Sequence, residues 1–332
     1  MPLPGAGITL REAALLFGDK GEPNHLINLL SELSPLTEDL LWKPTNLDTE
    51  YKFRTVEGLP GVSYRSINEG VLPTRGTQKI VTESCSLMES VFEVDKELID
   101  IAPDKAVYRM EQAAAHLESM TLKFSEEVWY GSRGSDIRSI QGLSERYSNL
   151  GGPAADYIID AGGTGSDNAS VWLIGHGDRT FHGIYPKNSK SGFEHVPGPK
   201  QDIVDPENGG TYEGYRDRFK WRVGIALPDY RQVGRICNID VPALLTFGTS
   251  GDTSANLLLL VNRLTNRIHN LRNGRFAFYM NRDLKEQWEN QILQKQNLAL
   301  TIDAATGAIT TAYKGIPIKV DDTLLSTEER VV

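Results

Sequence analysis

Residues capable of chemistry are present in this sequence, but their spacing does not assemble a reaction centre. The segment Gly162-Gly163-Thr164-Gly165-Ser166-Asp167 has the composition of a phosphate-binding loop. A dinucleotide site needs a strand, then the glycines, then a helix whose N-terminus meets the pyrophosphate. Here Val171, Trp172 and Leu173 read as a strand and no Lys-Ser/Thr pair follows, so the segment reads as a hairpin turn. The histidines are His25, His116, His176, His182, His195 and His269. His176 and His182 stand on either side of a turn, but no HExxH occurs and no carboxylate stands at a recurrent ligand spacing, so no metal site is expected. A GxSxG elbow is lacking, and Ser166 with Asp167 and a distant histidine would be an arbitrary triad. Asp202, Asp205 and Glu207 gather beside Pro206 and read as a solvated loop, with a weak cation site as the alternative. No catalytic, metal-binding or cofactor-binding residue is assigned, and no cofactor is expected.

The bulk properties narrow the classes that remain. Hydrophobic residues make up 39% and charged residues 24% of the 332, enough apolar material for a real core and too much for a disordered tail. The longest apolar run, Leu257 to Val261, falls far short of the roughly 20 residues that span a bilayer. The N-terminus shows no basic stretch followed by an apolar one, so no secretory signal is expected. Cys85 and Cys237 are the only cysteines, and neither sits in a CxxC pair; synthesis in a reducing cytoplasm fits. The net charge of −9 argues against tight binding to phosphates. The densest basic cluster, Arg216, Arg218, Lys220 and Arg222, is interleaved with Asp217, Phe219 and Trp221, which reads as one face of a strand.

The elements fall into differently built pieces. Residues 1–46 carry two short amphipathic stretches, Leu10–Phe17 and Asn24–Leu33, too short to be stable alone. Residues 47–95 are extended: strands are expected at Tyr51–Glu57 and Val62–Asn68, then a run from Gln78 to Asp95. Arg54, Glu57, Arg65, Glu69, Arg75, Lys79 and Glu83 leave few apolar side chains on this ribbon. It reads either as an ordinary surface hairpin or as a projecting loop held by other subunits, since an isolated two-stranded ribbon is marginal in water. Residues 104–130 are the clearest helix, with an apolar or small stripe at Val107, Met110, Ala114, Leu117, Thr121, Phe124 and Val128. At about 1.5 Å per residue it runs about 40 Å. A spine laid across a sheet is favoured over a coiled coil, because Glu111, His116 and Glu118 set up no obvious flanking charge pairs.

Strands then follow at Tyr157–Asp160, Ser170–Gly175 and Thr180–Tyr185, with a polar excursion over 186–210. Two long strands come next, Phe219–Leu227 and Gln232–Ile239. A helix over 254–272 has Leu257, Leu260, Val261, Leu264, Ile268 and Leu271 on its apolar side, with Ser250, Asp252 or Thr253 as cap. A strand (Phe276–Met280), a helix (Asp283–Gln294), a hairpin from Leu298 to Tyr313 and a last strand, Ile316–Val320, complete the chain.

This order resembles the subunit of the Hong Kong 97-like (HK97-like) capsid fold, an α+β class. Particular stretches resemble tailed-bacteriophage major capsid proteins of a podovirus and siphovirus branch. They are Gly58-Leu-Pro-Gly-Val-Ser-Tyr-Arg-Ser-Ile-Asn-Glu-Gly70, Phe92-Glu-Val-Asp95, Ile159-Asp-Ala-Gly-Gly-Thr-Gly-Ser-Asp-Asn168, and Trp221 through Asp240. The likeness spans about residue 25 to residue 320. It implies an N-terminal arm (1–46), an E-loop with flanking strand (47–95), and a P-domain spine-helix region (96–147). An A-domain of mixed sheet and helices (148–274) and P-domain return strands with the C-terminus (275–332) complete the expected division.

The resemblance implies a structural protein and no enzyme, self-assembling into pentamers and hexamers of an icosahedral head. The E-loop would contact a neighbour, with Arg54, Glu57, Arg65, Glu69, Arg75 and Lys79 as expected contact residues. Val107, Met110, Leu117, Phe124 and Val128 would form the spine-helix core. Expected partners are a separate scaffolding protein, a portal and, optionally, a decoration protein. Packaged double-stranded DNA would be contacted weakly and non-specifically, and no membrane is involved. The expected location is the virion capsid, assembled in the host cytoplasm. An encapsulin-like nanocompartment shell is the alternative, and a soluble α/β enzyme a more distant one.

Overall fold

A computed structural model of the chain describes residues 34–102, 104–189, 192–205, 209–245, 255–294 and 312–332. The two expected arm helices, the proposed caps Ser250, Asp252 and Thr253, Glu207 of the acidic knot, and most of the 298–313 hairpin lie outside those residues.

The described chain opens with one helical turn, α1 (Leu36–Asp39), and a short strand, β1 (Trp42–Pro44). The ribbon follows, β2 (Glu50–Gly58) pairing antiparallel with β3 (Thr77–Ser84), so that Phe53 opposes Val81 and Arg54 opposes Ile80. The strand expected at Val62–Asn68 does not form; residues 59–76 are the extended tip between the two strands. Cys85 interrupts the expected run from Gln78 to Asp95, its N–H turning to the Thr49 carbonyl at 3.0 Å, and β4 (Ser86–Asp95) starts afresh. The Asp95 carboxylate caps α2 (Lys96–Ile101) by accepting from the Glu97 N–H. The long helix α3 (Lys105–Tyr130) stands where its periodicity predicts, and α4 (Leu143–Arg146) is a single turn.

Then come β5 (Ile158–Asp160), β6 (Asn168–His176), β7 (His182–Tyr185), and two short strands within the expected polar excursion, β8 (Glu194–Val196) and β9 (Lys200–Val204). The longest strand, β10 (Thr211–Ala226), is followed by β11 (Val233–Asp240) and α5 (Val241–Leu245). Helix α6 (Leu257–Arg267) is capped by Asn256, and it ends before Leu271, which is exposed and not part of the apolar side. Strand β12 (Arg275–Met280), helix α7 (Arg282–Gln294), β13 (Ala312–Tyr313) and β14 (Ile316–Val320) close the chain.

These elements form two compact units. Among the described residues, one unit takes 87–124 and 192–222. In it β8 and β9 pair antiparallel with β10, and β4 lies beside β10. Alternation along β10 buries Asp217, Phe219 and Trp221 and turns Arg216, Arg218 and Arg222 outward, as the interleaved pattern predicts. The buried side packs on the helix: Phe124 lies 4.9 Å from the Trp221 ring and Phe92 5.2 Å from His116. Tyr108, Met120 and Phe124 are buried, Leu117 is half-buried, and the side chains of Val107 and Met110 lie outside the described set. Ala114 is exposed although it continues the stripe; one methyl contributes only about 0.8 kcal/mol of burial, so alanine marks a helix face weakly.

The other unit takes 32–86, 125–191 and 223–332. Its sheet has the order β13-β14-β12-β6-β11-β5. All nine residues of β6 are buried, which requires cover on both faces. On one face Ala169, Val171 and Leu173 join Phe276, Phe278 and Met280 under Leu260, Leu264 and Trp288 of α6 and α7. On the other, Trp172 meets Trp129, the buried end of α3, at 5.7 Å and Tyr147 at 5.8 Å. A Cβ on Gly234 would sit 2.6 Å from Leu264 Cδ1, so glycine there lets α6 lie close on β11.

Three placements differ from a direct reading of the sequence. Residues 192–222 belong with the spine helix and not with an uninterrupted 148–274 domain. The strands at 275–280 and 316–320 pair with the sheet of β6 instead of returning to the spine-helix unit, because β12 is buried along Phe276–Met280 and needs a strand on each side. Gly162–Gly165 is a crossover, not a hairpin turn: β11 lies between β5 and β6, parallel to the first and antiparallel to the second, and Gly162 takes a left-handed φ of 93°.

The C-terminal segment closes this unit. Buried Glu328 accepts from Arg235 at 2.8 Å, from the Ser170 hydroxyl, and from the Tyr130 hydroxyl at 2.6 Å. The Val331 backbone exchanges two hydrogen bonds with the Asn238 side chain. Removing one partner of such a pair strands a buried charge. Arg235→Met is therefore expected to cost about 3–5 kcal/mol in chemical denaturation, and adding Glu328→Met should restore much of the loss.

Candidate functional site

The histidines, cysteines and acidic groups do not gather into a site among the described residues. Among the described residues no three His, Cys, Asp or Glu side chains converge as metal ligands. His195 stacks on Phe219 at 4.7 Å, and His116 hydrogen-bonds Ser90. Burial pushes the Cys85 thiol up to about 12 and Cys237 to about 11, so neither is a thiolate near neutrality. The basic row of β10 is neutralised in place: Arg216 pairs with Glu93 at 2.6 Å, Arg218 with Glu89 at 3.1 Å, and Arg222 with Glu194 at 3.3 Å. Such a face offers few unpaired cations to a phosphate backbone. No described helix is long and apolar enough to cross a membrane.

What remains is the ribbon, and its two ends are built differently. The root is fastened. Glu83 is buried and receives both guanidinium donors of Arg146, one at 2.8 Å. Arg133 donates to the Ser84 carbonyl at 3.1 Å. The Asn46 side chain bonds both the N–H and the carbonyl of Lys52, standing in for a strand partner on the outer edge of β2. Leu47, Phe53 and Ile80 line a shallow hollow beside it.

Among the described residues the tip is fastened only to itself. Thr74 donates to the Gly61 carbonyl at 2.7 Å. The Ser66–Glu69 turn is closed by Glu69 N–H to Ser66 O and by Ser66 N–H to the Glu69 carboxylate, with Asn68 at a φ of 66°. Around this frame Leu59 is 87% exposed, Val62 96%, Ile67 92% and Leu72 84%, and Tyr64 is fully exposed. The charges along the ribbon mask this apolar tip in the sequence; Leu59, Val62, Tyr64, Ile67 and Leu72 read there as part of an expected strand and its flanks, and only the absence of that strand leaves them exposed.

Of the expected contact residues, Arg54, Arg65, Glu69, Arg75 and Lys79 are all exposed, and the Glu57 side chain lies outside the described set. Among the described residues no acidic group faces Arg54, Arg65 or Arg75. Glu69 serves the tip turn. Magnitudes rank the two groups: an exposed ion pair contributes about 0–1 kcal/mol, whereas covering one large apolar side chain contributes about 1.5–3 kcal/mol. Adhesion at this tip would come from the apolar residues, with the charges setting register. Since the tip packs on nothing else among the described residues, Tyr64→Ser, Ile67→Ser and Leu72→Ser together should change unfolding free energy by only about 0.5 kcal/mol per site. Denaturant titration reads this, and a loss of several kcal/mol would show that the tip packs on its own subunit.

Comparison with known proteins bears on what such a ribbon serves. Residues 18–332 match the model of a family described as Major capsid protein GP7. No curated protein matches. Among solved structures, a chain of bacteriophage Epsilon15 aligns over 100% of this chain and 99% of its own, with TM-score 0.76 and 24% identity. The bacteriophage JBD30 capsid aligns over 96% of this chain and 99% of its own, with TM-score 0.48 and 10% identity. The SrpI encapsulin of Synechococcus elongatus aligns over 71% and 97%, with TM-score 0.46 and 11% identity.

Proposed function

The chain belongs to the GP7 major capsid protein family, and from that premise we propose that its ribbon is the contact by which copies join into the pentamers and hexamers of an icosahedral phage head. The fold is HK97-like, the protein is a virion capsid component, and self-assembly into capsomers follows from the family. One observation supports the ribbon's role above others: a fastened root carries a tip whose apolar side chains are exposed, uncovered by any of the described residues. In this reading the ribbon is the E-loop, the unit of 87–124 and 192–222 is the P-domain, and the sheet of β6 belongs to the A-domain.

The finer partners follow from the same reading. The head encloses double-stranded DNA, and an acidic chain whose basic row is already paired gives the weak adhesion a container wall needs. A separate scaffolding protein, a portal and, optionally, a decoration protein complete the assembly, which takes place in the host cytoplasm. The protein works by contact and does no catalysis.

Purified full-length chain, with its scaffolding partner where required, should yield particles in electron micrographs. Tyr64→Ser/Ile67→Ser/Leu72→Ser should reduce particle yield severely while leaving a folded subunit. Charge reversal at Arg54, Arg65 or Arg75 should give a smaller loss, with misassembled forms. Normal particles from the apolar-tip variant would remove the ribbon from the contact.

A further inference from the structure

Two buried histidines, His176 and His182, lie beneath one strap of chain. The strap is the stretch from Leu36 to Tyr51, which leads directly into the ribbon. At its start Leu36 and Leu40 are buried and Asp39 nearly so. The Asp39 carboxylate accepts from Lys319 at 2.7 Å, from Arg275 at 2.8 Å and from the Tyr279 hydroxyl. The Tyr279 oxygen lies 2.8 Å from His176 Nε2. Because the single phenol proton goes to Asp39, neutral His176 must donate from Nε2, which leaves Nδ1 as a bare acceptor. That Nδ1 is buried and has no partner.

Further along, β1 runs parallel to β7, with Trp42 opposite Gly183 and the Leu41 carbonyl accepting from the Gly183 N–H at 3.0 Å. The Trp42 ring fills the space a Cβ on Gly183 would need, 2.6 Å from its Cε3. Next to Gly183 stands His182, fully buried, with neither ring nitrogen in a well-formed hydrogen bond and the Gly177 backbone as the polar group against it. The Tyr51 ring meets it edge-on at 5.3 Å. Lys43, which pairs with Asp178, is the cation facing it from the strap.

We propose that Leu36–Tyr51 is an acid-releasable latch, in which protonation of His176 and His182 detaches this strap from β6 and β7 while the rest of the unit stays folded. Among the described residues a proton on His176 Nδ1 meets no acceptor, and one on His182 meets only the Gly177 backbone, so each creates a buried cation without a carboxylate to pair it. At His176 the surrounding groups are Arg275 and Lys319, which oppose the proton, and Asp39, which favours it but already serves three donors. Phe181 is the other ring against His176, at 5.8 Å, and carries no charge. At His182 Lys43 opposes the proton and the Gly177 backbone favours it. Burial pushes both histidines down to about 4. Burial alone would raise the Asp39 carboxyl, but hydrogen bonds from Lys319 and Tyr279 outweigh it and hold the group below its ordinary value.

The sign follows from linkage. A histidine whose folded value lies below its unfolded value of about 6.5 contributes stability that is complete above about 6.5 and declines as pH falls toward the folded value. The window is therefore pH 6.5 to about 4. Asp39 acts in the same direction at lower pH still. Release would loosen the β2 side of the ribbon's root while Glu83 and Ser84 stay tied to Arg146 and Arg133, so any effect on assembly rests on the proposed contact; the latch itself does not.

The test is hydrogen–deuterium exchange on the full-length chain at pH 7, 5.5 and 4.5, corrected for intrinsic exchange rates. Protection over 36–51 should fall by roughly tenfold or more relative to 233–240 between pH 7 and 4.5. His176→Gln keeps the donor to Tyr279 without titrating, and His182→Phe fills an apolar site; together they should abolish the pH dependence over 36–51. Unchanged protection in the unmodified chain, the same loss in the double variant, or simultaneous loss over 233–240 would each overturn the latch. Should the double variant not fold, NMR titration of the unmodified chain decides: both imidazoles titrating near 6.5 with the strap undisturbed would also overturn it. A failed latch leaves the assembly reading intact, because particle yield at neutral pH does not depend on it.

Discussion

Strand β6 is buried on both faces along its whole length, and most of the larger unit is arranged to meet that requirement. A strand in this position needs neighbours on both edges and a layer over each side. The edges are supplied by β11 and β12, which come from distant parts of the chain. One side is supplied by α6 and α7 and the other by the aromatic end of α3 with Tyr147. Because those covers are drawn from residues 129 to 292, the unit cannot form piecemeal. The C-terminal segment then seals the polar spot in the second layer, where Arg235 would otherwise be a buried unpaired cation.

That rigidity is what gives the ribbon a fixed direction. Its root is tied through Glu83 to Arg146 and through Ser84 to Arg133, residues that follow directly on the buried end of α3. A two-stranded ribbon is marginal by itself, but one with a clamped root can present its tip with little additional entropy loss on binding. The proposed contact then combines a few apolar side chains, which give adhesion, with exposed arginines, which discriminate register. Each contact stays modest, and a closed shell gains its stability from their number.

The charge distribution fits the same economy. Four outward basic residues in seven positions of β10 would make a phosphate-binding stripe if left alone, yet Glu89, Glu93 and Glu194 neutralise three of them. The ladder leaves the face polar and nearly neutral.

Most element types and the class of architecture were legible in the sequence, with the strand expected at Val62–Asn68 and the unexpected β8 and β9 as exceptions. Sustained apolar spacing marked α3, strict alternation marked β10, and local phrases such as Gly58 to Gly70 carried the family likeness. It also excluded a phosphate loop, since a strand and not a helix follows Gly162–Gly165. Partners across the fold were decided only in three dimensions. That β11 lies between β5 and β6, and that β12 and β14 join their sheet, depends on long-range pairing that a period-two pattern cannot encode. Placing 192–222 with the spine helix is a matter of the same kind. So is the ribbon's tip, where Leu, Val, Ile and Tyr have the composition of a core but find no cover among the described residues. Residue type tells how much a side chain gains by leaving water; only the tertiary structure tells whether its own chain provides the place.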